Sequence, residues 1–469
     1  MGFESVNPAT GERVATYPTW DDAAVERALA TAAQAAPAWA ARPIDERCAL
    51  LRRVARELRS RQDELARLMV TEMGKLLGEA EAEVEKCAVC CEYYADRAAG
   101  FLADEPIETG PQKALVAYQP LGTVLAIMPW NFPLWQVIRF AAPTLAAGNT
   151  GLLKHASNVP GCALAIEAVF KQAGAPDGVF TTLMVSGRQA EALIADPRIH
   201  AVTLTGSAET GRHVAAAAGA ALKKTVLELG GSDAFVVLED ADLDDAVAQA
   251  VQSRFLNAGQ SCISAKRFVV VEAVADDFVS RFKAAVEALR PGDPLNEATT
   301  LAPMARGDLR DELHAQVEDS VKAGAVAVTG CRPLEGAGYF YAPSILDGVT
   351  PGMRAYHEEL FGPVATVIHA KDEADAVRIA NDSPYGLGGS VWTRDLERGE
   401  RVARQLECGV AFVNQIVRSQ PKLPFGGVKA SGYGRELAWF GIHEFVNVKS
   451  ILVGEPARQG QGREAVRSE

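Results

Sequence analysis

The chain has 469 residues, 48% of them hydrophobic and 23% charged, and carries a formal net charge of −13. Its length exceeds what one compact core holds, so two or three structural units are expected, and the ordinary hydrophobic content argues against disorder. The acidic balance argues against a nucleic-acid or anionic-membrane surface, both of which call for clustered Lys and Arg.

Residues 1–6 show no basic-then-apolar leader. Apolar runs at 124–128 and 140–147 are broken well before the ~18 residues of a membrane span. The eight cysteines are scattered without the spacing of a disulfide framework, so a cytoplasmic protein with reduced thiols is expected. In chain order, residues 3–18 carry Pro8, Gly11 and a β-prone run, which predicts a short hairpin. Asp21 and Asp22 open a long Ala-rich helix, and further helices are predicted over 44–59, 62–73 and 77–99. Cys87, Cys90 and Cys91 fall inside the last of these; with no second C-x-x-C and no H-E-x-x-H, no metal is predicted.

From residue 115 the pattern changes to strands at 114–118, 123–128, 150–153, 180–185, 201–205, 225–229 and 235–238, with helices at 136–146, 161–172 and 210–222. Strands that are apolar throughout, alternating with helices, predict a parallel sheet covered on both faces. A second series follows residue 262, from a strand at 267–271 through helices at 276–289, 308–323 and 373–381 to a strand at 410–413. The fold class is therefore α/β, with two doubly wound units in series. A last strand at 445–453 would be an open edge unless another chain pairs with it, which predicts a homodimer or tetramer. Residues 455–469 are expected to form a flexible tail.

Asn257-Ala258-Gly259-Gln260-Ser261-Cys262 closes an apolar helical run. A thiol among small residues after a helix is approachable from one side, as a nucleophile must be; a space-filling core cysteine is the alternative. Glu228 ends an apolar strand 34 residues earlier, before Gly230 and Gly231, and is a candidate general base. Gly206-Ser207-Ala208-Glu209-Thr210-Gly211 runs from a strand into a helix, so its N–H groups suit a phosphate, although no regular dinucleotide or P-loop spacing is present. Lys154, directly after a strand, is a second candidate for a phosphate or ribose contact.

Seven motifs, Pro129-Trp130-Asn131-Phe132-Pro133, Lys154, Thr205-Gly206-Ser207, Leu227-Glu228-Leu229-Gly230-Gly231, Gly259-Gln260-Ser261-Cys262, Glu359-Leu360-Phe361-Gly362-Pro363 and Pro424-Phe425-Gly426-Gly427, follow one another along the chain. In this order they resemble the motif series of the NAD(P)-dependent aldehyde dehydrogenase superfamily, and they cover almost the whole chain. The resemblance implies a Rossmann-type cofactor domain at 1–114 and 136–227, a catalytic domain at 228–425, and an oligomerisation unit from 115–135 and 440–454, made of a hairpin near 115–135 and the C-terminal strand. It implies Cys262 as nucleophile, Asn131 with the Cys262 N–H as oxyanion donors, and Glu228 as the base that activates the hydrolytic water. Glu228 also points away from the CoA-acylating branch of the family. Trp130, Asn131, Lys154, Ser157, Gly206, Ser207, Leu229, Glu359 and Phe361 would contact the cofactor, Glu359 at the nicotinamide ribose and Phe361 near the ring.

Two departures refine this expectation. NAD-preferring relatives carry a Glu three residues after Lys154, whereas this chain has Ser157. A carboxylate ~4 Å from a 2′-phosphate is repelled by about 4 kcal/mol at an effective dielectric of ~20, so NADP is expected as the preferred cofactor and NAD with lower preference. Arg139 and Ser419 are similar in position to the carboxylate-binding Arg and Ser of succinate semialdehyde dehydrogenases, and Ser261 joins them as a substrate contact. A second Arg of some relatives is replaced by Leu256, with Arg418 or Arg254 to compensate, and Ser264 replaces a second cysteine, which rules out a disulfide switch there. The expected reaction is NADP-dependent oxidation of succinate semialdehyde to succinate; glutarate semialdehyde, an uncharged aldehyde and, more distantly, cysteine-dependent hydrolysis are the alternatives.

Overall fold

Two large sheets organise the computed structural model, which describes residues 2–110 and 112–454. The first has the strand order Gly432–Tyr433, Lys224–Glu228, Ile199–Thr205, Thr123–Met128, Thr150–His155, Phe180–Thr182. All its pairings are parallel except that of the short edge piece Gly432–Tyr433. Alternate residues of Thr123–Met128 explain why it reads as one unbroken apolar run. Val124, Ala126 and Met128 enter a core shared with helices Ile44–Ser60, Leu77–Phe101 and Trp135–Ala146, while Leu125 enters another with Val25 and Leu29 of helix Asp22–Ala40. Each such side chain contributes about 1.5–3 kcal/mol on burial, so neither face tolerates a polar residue.

The second sheet has the order Val326–Thr329, Ser344–Asp347, Val364–Ala370, Ala265–Val271, Asp233–Val237, Gly388–Trp392, Val410–Val413. Its central strands are two-faced in the same way. Val236, Val269 and Val271 pack into one core; Phe235, Val237, Phe268 and Val270 pack into the other. Two parallel α/β units in series are thus present as expected. Gly388–Trp392 was not read as a strand because Gly388 and Gly389 weaken the strand signal. The glycines are required by packing: a Cβ on Gly388 would overlap the Asp233 carboxylate, and one on Gly389 would sit 3.0 Å from Leu406.

The hairpin expected within 115–135 is not formed. Gln112–Pro120 pairs instead with Glu105–Thr109 on one side and Val446–Val453 on the other, all antiparallel, and Thr123–Met128 turns away into the first large sheet. The reason is burial: Gln112–Pro120 is only half-buried, whereas Thr123–Met128 is apolar at every step and demands cover on both faces. Glu105–Thr109 is exposed along its whole length and carries no alternation to read. Val446–Val453 lies at the end of this three-stranded sheet with Val448, Leu452 and Val453 exposed. The tail expected at 455–469 lies outside the described residues. Among the described residues no helix is long and apolar enough to cross a membrane.

Candidate active site

In the first sheet the chain runs from Thr123–Met128 outward to Thr150–His155 and Phe180–Thr182, then returns to place Ile199–Thr205 on the opposite side of Thr123–Met128. Ligands of open parallel sheets sit at such a reversal, beyond the strand C-termini. The two loops that leave these neighbouring strands carry Trp130 and Asn131, and Gly206 and Ser207. Glu228 ends the next strand, with its backbone fixed between Thr205 on one side and Gly432 on the other. Only 229–232 separates it from Asp233–Val237 of the second sheet, and Cys262 comes just before Ala265–Val271. Glu228 and Cys262, the expected base and nucleophile, are therefore both placed at the seam between the sheets.

The loop that presents Cys262 is held by groups from several distant segments. After helix Leu243–Phe255, Asn257, Ala258 and Gly259 take φ of 55°, 52° and 72°, a left-handed run that is unfavourable for the two non-glycine residues. Arg254 holds this turn from within, fully buried and donating to the carbonyls of Gly259, Leu360, Gly362 and Ala265. The Glu79 carboxylate accepts the Asn257 N–H at 3.1 Å, and Lys266 donates to the carbonyls of Ser261 and Cys262 at 2.8 and 2.9 Å. Arg254, weighed as a substrate contact, is therefore a scaffold residue. The Cys262 N–H donates to no described residue and remains available to an oxyanion.

Asn131 lies against this loop. Its Nδ2 donates to the Gln260 carbonyl at 3.1 Å, and its own carbonyl accepts from Asn257 Nδ2 at 2.8 Å. The amide keeps a second N–H for an incoming oxygen. Glu83 fixes the chain that follows by accepting the N–H groups of Leu134 and Trp135, both at 2.9 Å, where helix Trp135–Ala146 begins. Lys75 pairs with Glu83 and lies 3.8 Å over the Phe132 ring. A buried carboxylate at a helix start, itself neutralised by a lysine, is a stable way to pin the Asn131 loop.

The titratable groups are strongly perturbed. Burial pushes the Cys262 thiol up to about 12, opposed by the positive charges of Arg139 and Lys266. Glu228 is 2% exposed, and neither carboxyl oxygen has a hydrogen-bond partner among the described residues. Burial, then the neighbouring Glu436, hold its carboxyl well above the usual range, while Arg139 and Arg435 pull the other way. Arg139, expected to turn its fork toward a substrate carboxylate, is instead ion-paired with Glu436, with Nη2 3.4 Å from Thr205 Oγ1 and the guanidinium 4.9 Å from the Phe425 ring centre. Its closest contact to Glu436 is through Nε, and Arg139 also lines the substrate-side cavity described below.

Cys262 forms part of the walls of two cavities. One, of about 400 Å³, is lined by Trp130, Gly206, Ser207, Leu229, Glu359 and Phe361 together with Asn131. The other, of about 550 Å³, is lined by Lys86, Arg139, Ser261, Arg418 and Ser419. Most of the expected cofactor and substrate residues are thus brought together, on opposite sides of the thiol. Trp130 meets Phe361 edge-on at 5.8 Å, and Glu359 accepts the Gly231 N–H at 3.1 Å and pairs with Lys266 at 3.2 Å. Gly206 leaves its backbone approachable, with no atom nearer than 3.7 Å to where a Cβ would stand. Gly211 lets helix Ala208–Ala220 close onto Leu229, where any Cβ would overlap the Leu229 side chain. An open backbone at a helix start beside two aromatic rings fits a dinucleotide.

Lys154 and Ser157 stand apart from both of these cavities. Lys154 lies one residue before the end of its strand and has no carboxylate partner among the described residues; burial pulls its ammonium down, and Ser157 is exposed. The sequence reading missed Lys266, Glu79, Glu83, Lys86 and Glu436. Only Lys266 left a trace, a basic residue at the start of an apolar strand.

The sequence model of the aldehyde dehydrogenase family matches residues 1–451. A probable NADP-dependent succinate-semialdehyde dehydrogenase of Synechocystis sp. is 48% identical over 453 residues, which span 97% of this chain and 100% of that protein. The NAD(P)-dependent succinate semialdehyde dehydrogenase of Escherichia coli K12 is 49% identical, across 95% of this chain and 97% of its own length. Among solved structures, the succinic semialdehyde dehydrogenase of Streptococcus pyogenes in complex with NADP+ superposes with a TM-score of 0.95 at 39% identity, covering 97% of this chain and all of that one.

Proposed function

The chain belongs to the aldehyde dehydrogenase family, and we propose on that premise that it oxidises succinate semialdehyde to succinate, with NADP as the preferred acceptor and NAD as a weaker one. One observation carries the reading: Cys262 is the common wall of a cavity suited to a dinucleotide and a cavity lined by cations and hydroxyls. Relatives of the same length at 48–49% identity bear the name of this activity.

Cys262 loses its proton and bonds through Sγ to the aldehyde carbon, and the Asn131 amide with the Cys262 N–H receives the oxyanion. A bound nicotinamide supplies the hydride acceptor that takes the thiohemiacetal to the thioester. Trp130, Gly206, Ser207, Leu229, Glu359 and Phe361 would hold that cofactor, with Lys154 as counter-charge to a 2′-phosphate and Ser157 offering it no repulsion. Glu228 takes the proton of the water that attacks the thioester, and succinate leaves as Cys262 returns to the thiol. We further read the protein as cytoplasmic and as a homo-oligomer assembled on the open edge of Val446–Val453, a state that light scattering would measure.

The test is reduced-cofactor formation with purified protein, succinate semialdehyde and either NADP or NAD, beside glutarate semialdehyde and uncharged aldehydes. The reading requires the highest kcat/KM for succinate semialdehyde with NADP. An uncharged aldehyde in first place would remove the substrate assignment and leave the Cys262 chemistry intact.

A further inference from the structure

We propose that Lys266 is the positioning residue that sets the Cys262 N–H as an oxyanion donor, by holding the backbone on both sides of the nucleophile, an assignment that rests on the reading of Cys262 above and deepens it. Lys266 is the second residue of Ala265–Val271 and is fully buried. An ammonium has three N–H donors, and three close acceptors surround this one: the carbonyls of Ser261 and Cys262 at 2.8 and 2.9 Å and Glu359 Oε1 at 3.2 Å. A third carbonyl, that of Ser264, lies further off at 3.4 Å. A buried cation is costly unless its donors are met, so the arrangement holds the ammonium in one place.

The two nearer carbonyls belong to the two peptide groups that flank Cys262. The Ser261 carbonyl and the Cys262 N–H share one planar trans peptide group and therefore point in opposite directions. Lys266 draws the carbonyl toward itself and so turns the N–H away, where it meets no acceptor among the described residues. An ammonium on the carbonyl also polarises the peptide group, which makes its N–H a stronger donor. The Ser264 N–H reaches the same carbonyl at 3.3 Å, as a neutral and longer contact. On the other side of the thiol the Cys262 carbonyl is enclosed as well, since a Cβ on Gly231 would stand 2.5 Å from it. The backbone of the nucleophile thus has little freedom to turn.

Glu359 supplies the counter-charge. Its Oε1 takes both protein donors, Lys266 and the Gly231 N–H at 3.1 Å, and its Oε2 takes none among the described residues. Glu359 lines the dinucleotide-side cavity, so one cation joins a wall of that cavity to the oxyanion donor. Lys266 also opposes, after Arg139, the upward push of burial on the Cys262 thiol. That effect bears on every reaction of the thiolate, whereas an oxyanion donor serves only reactions at a carbonyl carbon.

The experiment separates the two in cofactor-free protein with two reagents. p-Nitrophenyl acetate acylates Sγ through a tetrahedral oxyanion and expels p-nitrophenolate; iodoacetamide alkylates Sγ by displacing iodide, with no oxyanion. The first is read as initial p-nitrophenolate release, the second as the mass gain of the peptide that holds Cys262. In Lys266→Met both rates should fall, and the ratio of acylation to alkylation should fall by about tenfold, as for a weakened oxyanion donor. Lys266→Gln, which keeps N–H donors and loses the charge, should give a ratio between those of Lys266→Met and native protein. A Lys266→Met ratio within about threefold of native, or an undiminished initial burst of NADPH from succinate semialdehyde in that variant, overturns the proposal. A lysine that acts only through the charge on the thiol changes both reactions alike. Lys266→Gln decides by the same threshold if Lys266→Met does not fold. Failure of the nucleophile reading looks different: Cys262→Ser would then release p-nitrophenolate at the native rate before Lys266 is changed.

Discussion

Replacing Arg139 with Met tests the charge arrangement beneath the thiol. Arg139 and Glu436 form a pair that is 2% and 7% exposed at the side chains, so the substitution leaves a carboxylate in a dry site. Breaking a buried pair from one side costs about 3–5 kcal/mol, far more than a surface pair, which is worth about 0–1 kcal/mol. For a unit of roughly 150–250 residues each kcal/mol lowers Tm by about 2–4 °C, so the first thermal transition should drop by about 6–20 °C. The sign of the pH dependence follows from the direction of the shifts. Burial already raises the Glu436 carboxyl, with Arg139 opposing, so removing Arg139 raises it further. A carboxyl raised by folding contributes stability below its unfolded range and loses it as pH rises through the folded value. The penalty in Arg139→Met should therefore be smaller near pH 6, where Glu436 can hold its proton, than near pH 9. Adding Glu436→Gln should recover at least half of the lost stability, because no buried charge then remains. The assay is thermal and denaturant unfolding of the native protein, both single variants and the double variant at the two pH values. If Arg139→Met lies within about 1 kcal/mol of native protein, or if the double variant loses the sum of the two single losses, the pair does not carry the charge balance argued here.

The remaining expectations concern the nucleophile, the base and the cofactor. With the Cys262 thiol pushed up to about 12, its alkylation by iodoacetamide in cofactor-free protein should speed up by about tenfold per pH unit across the assay range; a plateau below pH ~8 would show a thiolate already present. Glu228→Gln should keep an initial burst of NADPH and lose steady turnover by about 10²–10⁴-fold, since only deacylation needs the base; loss of the burst would mean that Glu228 also activates the thiol. In native protein, steady turnover limited by deacylation should rise with pH, because the raised carboxyl must first lose its proton. Ser157→Glu places a carboxylate on an exposed residue, where screening leaves about 1–2 kcal/mol of repulsion, so KM for NADP should rise by about tenfold while KM for NAD does not. Equal changes for both cofactors would remove Ser157 from the selectivity argument.

The parts legible in the sequence are those whose signal is local. The helices at 44–59 and 62–73 and the strand at 123–128 were read to within a residue of Ile44–Ser60, Gln62–Met73 and Thr123–Met128, because acidic starts and apolar period are local properties. Gly388–Trp392 was not, since its strand character comes from pairing with the distant Asp233–Val237, and Glu105–Thr109 was not, since it is exposed at every position and carries no burial pattern. The site divides in the same way. Cys262, Glu228, Asn131 and the Gly206-Ser207 turn sit in short motifs, and the structure brings them to one seam. Lys86 and Ser419 are 333 residues apart, and Arg139 and Glu436 are likewise distant in the chain. Neither partner can be read from its neighbours.

That division has a chemical consequence for Arg139. Sequence position singles out Arg139 because an arginine fork is the expected match for a carboxylate, but a charge matters to a ligand only to the extent that the protein has left it unmatched. The buried Glu228 lies under the influence of Glu436, and without Arg139 the two carboxyls would share a dry site with no cation paired to either. Arg139 therefore helps keep both carboxyls able to ionise.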